Sequence, residues 1–85
     1  MGQTLGARAM PPKKSAANQA LGHAIRATRE ERGLAQEALA TRARIDRSYF
    51  GAIERGEFNV SLDTIAKIAA ALGTRPSQLL GRARL

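Results

Sequence analysis

Cysteine and tryptophan are missing from this 85-residue chain, and histidine occurs once. Without cysteine there is no disulfide and no thiolate metal ligand, and the composition suits a reducing cytoplasm. A single imidazole, His23, cannot build a metal site alone, and we read it as a surface or helix-flank residue. Aromatics are scarce, with two Phe and one Tyr. There is no apolar run of about eighteen residues, the length a helix needs to span a bilayer, and the N-terminus lacks the apolar segment of a secretory signal. The opening MGQTLG has Gly6 where an N-myristoylation pattern asks for Ser or Thr. Neither a nucleophile–base pair nor a phosphate-cradling glycine loop is present. These absences argue against an enzyme, a cofactor, a metal and a membrane protein.

Charge of one sign is also short: seven acids face fourteen Lys and Arg, a net charge of +7. Such a balance favours a polyanionic partner, although a solvated, Arg-rich surface would give the same total. Eighty-five residues make one small domain, and seventeen of the apolar residues are alanine, so the core is thin. A thin core asks for efficient helix packing or a second subunit.

Residues 1–16 carry Gly2, Gly6, Pro11, Pro12, three basic residues and no acid, which reads as a disordered basic arm. Residues 17–82 read as the folded domain and 83–85 as a tail. Leu21, Ala24, Ile25 and Thr28 recur at helical spacing before Gly33, predicting a helix over about 18–32. A second helix over about 36–43 is expected to bury Leu39, Ala38 and Ala43, and a third spans about 47–55. Ser61 caps a fourth, in which Leu62, Ile65, Ile68, Ala69 and Leu72 form an apolar stripe up to Gly73. Pro76 opens a short fifth helix holding Leu79 and Leu80. The expected class is all-α, with five helices.

The third helix, within RIDRSYFGAIERGE, has two unlike sides. Tyr49, Phe50 and Ile53 share one arc. Arg47, Ser48, Gly51, Ala52 and Arg55 share the other, whose middle is trimmed to almost nothing. A glycine inside a helix costs about 1 kcal/mol, so the trimming needs a reason. One reason is close approach to the major groove of DNA, with Arg47 forked onto guanine and Ser48 beside it. The other is close packing between helices, with Arg47 and Arg55 simply solvated. Asp46 caps the helix and is placed to orient the Arg47 guanidinium. Arg29 and Glu54, at the margins of the first and third helices, form an expected structural ion pair.

The segment GLAQEALATRARIDRSYFGAIERGEFNVSLDTIAKIAAALG resembles the Cro/C1-type, or Xre, helix-turn-helix family over about residues 20–80. The DRSY…IERGEFNVSL run is most similar to the controller proteins of restriction–modification systems. The resemblance implies a five-helix, lambda-repressor-like domain that binds double-stranded DNA as a homodimer and regulates transcription. It implies base-reading by Arg47, Ser48 and Ala52, and backbone contacts from Gln36, Tyr49, Arg55, Asn59 and Ser61, with Arg44 adding a cation in the turn. Arg29 and Glu54 match the family's buried ion pair, and Leu72, Leu79 and Leu80 fall at its dimer interface. Three positions depart from the family pattern. Ala35 stands where a capping Ser, Thr or Asn is usual, and Arg44 stands where Gly is usual. Phe58 replaces a basic residue and is expected in the core or a dimer surface. With no separate ligand domain, no small-molecule effector is expected. An antitoxin or phage-type repressor shares the fold; so does a protein–protein adaptor, which would show no salt-dependent DNA binding.

Overall fold

The computed structural model describes residues 14–85. Its five helices are α1 (Ala16–Glu31), α2 (Gln36–Ala43), α3 (Arg47–Glu54), α4 (Leu62–Leu72) and α5 (Pro76–Arg82), and no strand occurs among the described residues. The arm assigned to residues 1–16 lies outside the described residues up to position 13. Its last two residues belong to α1 instead: Ser15 is the N-cap, its Oγ accepting from the Asn18 amide at 3.0 Å, and Ala16 is helical. A serine followed by alanines starts a helix by the ordinary capping mechanism, even directly behind a basic, proline-bearing stretch.

Local chemistry sets the other boundaries. Asp46 Oδ2 accepts from the Tyr49 amide at 3.1 Å to begin α3, and Ser61 Oγ accepts from the Thr64 amide at 3.1 Å to begin α4. At α5 the Gln78 side chain accepts from the Arg75 amide at 3.0 Å. Helix α2 begins on Ala35 with no side-chain cap and ends on Arg44, which sits in the left-handed region at φ 57°, ψ 47°. For a residue with a Cβ that conformation costs about 1 kcal/mol. It turns the chain sharply enough for the Ile45 amide to reach the Ala40 carbonyl at 2.9 Å.

The core takes Leu21 and Ile25 from α1, Leu39 and Ala40 from α2, Phe50 and Ile53 from α3, and Ile65, Ile68, Ala69 and Leu72 from α4. Leu79 from α5 completes it. Three expectations are corrected. Helix α2 buries Leu39, Ala40 and Ala43, while Ala38 is exposed, because the inward stripe of so short a helix excludes position 38. Leu72 and Leu79, expected at a dimer interface, are 3% and 1% exposed within a single subunit. A core this poor in large side chains recruits Leu72 and Leu79, the latter as the buried anchor of α5, whereas Leu62, expected in the apolar stripe of α4, stands exposed in its first turn. Of the three expected interface residues only Leu80 keeps a partly open surface.

Helix α5 has a polar tether as well. Arg82 donates from Nη1 and Nη2 to the Glu31 carboxylate at 2.8 and 2.6 Å, and from Nη1 to Thr28 Oγ1 at 3.2 Å. The Arg82 hydrogen bonds hold the Glu31 carboxyl below its ordinary range. Both groups are substantially solvated, so the tether orients α5 more than it stabilises the fold.

Leu79→Ala is therefore expected to lower stability by about 2–5 kcal/mol, read as a shift in the urea midpoint. Ala35→Ser should raise stability by about 1 kcal/mol by supplying the missing cap, visible in the same titration.

Candidate nucleic-acid interface

Helix α3 is held in its pose by a buried polar knot. Arg29 Nε donates to Glu54 Oε2 at 2.7 Å and Arg29 Nη2 to Glu54 Oε1 at 3.1 Å, both side chains being buried. Arg29 Nη1 donates onward to the Leu34 carbonyl at 2.8 Å, and Gln36 Nε2 reaches Glu54 Oε1 at 2.8 Å. The Arg29–Glu54 pair thus joins α1, the α1–α2 link, α2 and α3. Hydrogen bonding to Glu54 outweighs desolvation and pushes the Arg29 guanidinium above its already high range.

The α1–α3 crossing is close because Gly22 has no side chain. A Cβ there would stand 2.7 Å from the Ile53 carbonyl oxygen and closer still to that of Glu54. Beyond α3, Gly56 at φ +75° is pressed on α1, where a Cβ would meet Gln19 at 2.7–2.8 Å. Backbone contact at both places fixes the angle at which α3 leaves the body.

On the outer side, Arg47 and Ser48 are exposed at the first turn of α3. Among the described residues Arg47 makes no ion pair. Asp46 caps the helix but has no bond to Arg47, so the guanidinium is not oriented by it. Tyr49 is 36% exposed, and its ring lies against Phe58 with centroids 5.7 Å apart and planes at 59°.

The trimmed middle is the main correction. Ala52, expected to face bases, is only 5% exposed, and Gly51 is buried too. A Cβ on Gly51 would lie 3.2 Å from Arg55 Nη1 and 3.7 Å from Gln36 Oε1. A Cβ at position 51 would thus be in ordinary contact with Gln36 and crowd only the end of the Arg55 side chain, so the bare position lies under neighbouring side chains of the same subunit. Helix α3 is clasped by both α1 and α2, so a division into one buried arc and one open arc leaves it too much free surface.

The expected backbone contacts are engaged to different degrees. Gln36 is half-buried and turned onto Glu54. Arg55 is exposed but paired with Glu57, donating from Nε at 2.7 Å and from Nη2 at 3.3 Å. Those bonds hold the Glu57 carboxyl below its usual range. Asn59 Oδ1 accepts from Asn18 Nδ2 at 2.8 Å, and Ser61 donates to Thr64 Oγ1 at 2.9 Å while capping α4. Arg44 is exposed with no ion pair among the described residues. Two cations passed over in the sequence, Arg42 and Lys67, join it around an open depression of about 570 Å³ floored by Ala43, Ala70 and Ala71. Arg42 and Arg44 flank the buried Ala43, the one sequence signal that places them on a common rim.

Among the described residues no cluster of His, Cys, Asp and Glu could hold a metal ion, and no helix is long and apolar enough to cross a membrane. What the site offers is an exposed cation and hydroxyl at the tip of a rigidly held helix, with an aromatic pair beside them.

That geometry coincides with a known pattern: the helix-turn-helix family profile matches residues 25–79. The chain belongs to this Xre-type helix-turn-helix family. It is 39% identical over 80 residues to the Neisseria hypothetical transcription factor of Neisseria meningitidis, covering 94% of this chain and 76% of that protein. It is 43% identical over 65 residues, 76% of its length, to the immunity repressor protein of Bacillus phage phi105, but spans only 45% of that protein. Among solved structures, the restriction-modification controller protein C.AhdI from Aeromonas hydrophila superposes with a TM-score of 0.75 at 45% identity. That match covers 76% of this chain and 98% of the controller.

Glu54→Gln keeps the shape of the knot but leaves Arg29 buried without a countercharge. We expect a loss of about 3–5 kcal/mol, measured by thermal and urea unfolding; a melting curve like the wild type's would make the pair dispensable.

Proposed function

We propose that this protein is a sequence-specific double-stranded DNA-binding transcriptional regulator, acting as a homodimer on a pseudo-palindromic operator. The observation that carries the reading is Arg47, a guanidinium with no ion pair among the described residues, beside Ser48 at the tip of a helix whose other sides are locked to the body. A helix of this size enters the major groove, about 12 Å wide, and a planar guanidinium forks onto the O6 and N7 of guanine. Base-reading rests on Arg47 and Ser48, since Ala52 is buried.

Phosphate contacts would flank them. Tyr49, Asn59 and Ser61 are exposed, and Arg44 adds a cation with no ion pair among the described residues. The uncapped start of α2 has first-turn amides without a side-chain acceptor, a local arrangement that favours an anion. Arg55 joins only by exchanging Glu57 for phosphate. Two subunits would set their α3 helices in successive major grooves, about 34 Å apart. The half-buried Leu80 and the exposed Leu85, joined by a 2.8 Å bond from the Leu85 amide to the Leu80 carbonyl, leave an apolar edge for the partner subunit.

Likeness to C.AhdI supports the finer reading, a controller of a restriction–modification system working in the cytoplasm. A protein of this kind makes no covalent change in its ligand, and control runs through its own concentration and dimerisation.

Selection from random duplexes would define the preferred site, and gel shift would measure affinity on it. Arg47→Ala is expected to lose about 1–3 kcal/mol on that site while leaving binding to random DNA nearly unchanged. An equal loss on both would reassign Arg47 to the backbone.

A further inference from the structure

Phe58 is an aromatic residue outside the apolar core. Its neighbour Val60 packs against that core, whereas Phe58, half-buried, meets the ring of Tyr49. The loop carrying it is tied down at several points. The Gly56 amide donates to the Ile53 carbonyl at 3.0 Å and the Glu57 amide to the Ala52 carbonyl at 3.0 Å. Arg55 bridges to Glu57, Asn59 bonds Asn18, and Ser61 caps α4. Phe58 therefore sits on a fixed support.

Tyr49 does not. Its amide is held by Asp46, but its ring projects from the first turn of α3 and is 36% exposed. An exposed tyrosine samples several rotamers, and fixing one of them on binding costs entropy. A tilted ring contact at 5.7 Å is in the attractive range for aromatic pairs. Made in the free subunit, it settles that rotamer before DNA arrives.

We propose that Phe58 is a positioning residue for Tyr49: its ring holds the Tyr49 phenol at a set angle beside Arg47 and Ser48, ready for the sugar–phosphate edge of a duplex. The inference rests on the DNA-binding reading above. It gives Phe58, which stands where a basic residue would contact DNA directly, an indirect role instead.

The chain has one tyrosine and no tryptophan, so intrinsic fluorescence reports on Tyr49 alone. In free Phe58→Ala the Tyr49 anisotropy decay should gain a fast component that the wild type lacks. Affinity for the selected duplex should fall about 2- to 10-fold, and Phe58→Tyr, which keeps the ring, should restore it. In a Tyr49→Ala background Phe58→Ala should have no further effect on affinity. An unchanged decay, or a cost that persists without Tyr49, overturns the proposal. Should Phe58→Ala lose helical circular dichroism, Phe58→Leu keeps the bulk without the ring, and the same two readouts decide. If the decay changes but the wild-type protein binds no duplex at any salt, the DNA reading fails and takes this role with it, while the ring contact itself stands.

Discussion

The ion pair between Arg29 and Glu54 organises this small domain. It is buried, so its net contribution to stability is modest: desolvation of both charges offsets most of their attraction. Its value is geometric. The guanidinium fork accepts only one arrangement of the carboxylate; its remaining donor goes to the Leu34 carbonyl, and the same carboxylate also accepts from the Gln36 side-chain amide. Apolar contacts alone would let an eight-residue helix slide or roll; these bonds do not. Gly51 lies beside the same knot, where a Cβ would come within ordinary contact distance of the Gln36 amide.

Around this knot the apolar core is economical. Alanine contributes to it, and the largest side chains sealed completely from solvent are Phe50, Ile25, Leu39, Ile53, Ile68 and Leu79. Short helices hold together here because each end is closed by its own chemistry, except at α2. There the capping side chain is missing at one end, and Arg44 takes a left-handed turn at the other. Both concessions fall on the element next to α3; the left-handed turn still closes its end through the Arg44 and Ile45 amides, whereas the first-turn amides at Ala35 keep no side-chain acceptor.

Much of the architecture was legible in the sequence. Helical spacing, Ser61, Asp46 and Pro76 located four of the five helices to within a residue or so, and the Arg29–Glu54 pair followed from charges at the margins of two apolar arcs. Two kinds of information were not legible. A helical wheel has one inside and one outside, whereas α3 is clasped from two sides, so Gly51 and Ala52 were assigned to open surface. Family position also placed Leu72 and Leu79 at a subunit boundary, when the scarcity of large aliphatics commits them to the core of one subunit. The bond from Gln36 to Glu54 and the contact of Phe58 with Tyr49 join residues from separate elements, and nothing in local pattern announces them.

Gly22 carries a consequence for how such a protein can change. The backbone of α3 rests directly on α1 at that glycine, so the attitude of the probing helix is set by residues that never touch whatever it probes. Arg47 and Ser48 hang free of that seat. Under the proposed base-reading role, variation at those two positions would retarget the molecule while its chassis stays as it is, and a lineage would acquire new addresses without first repairing its fold.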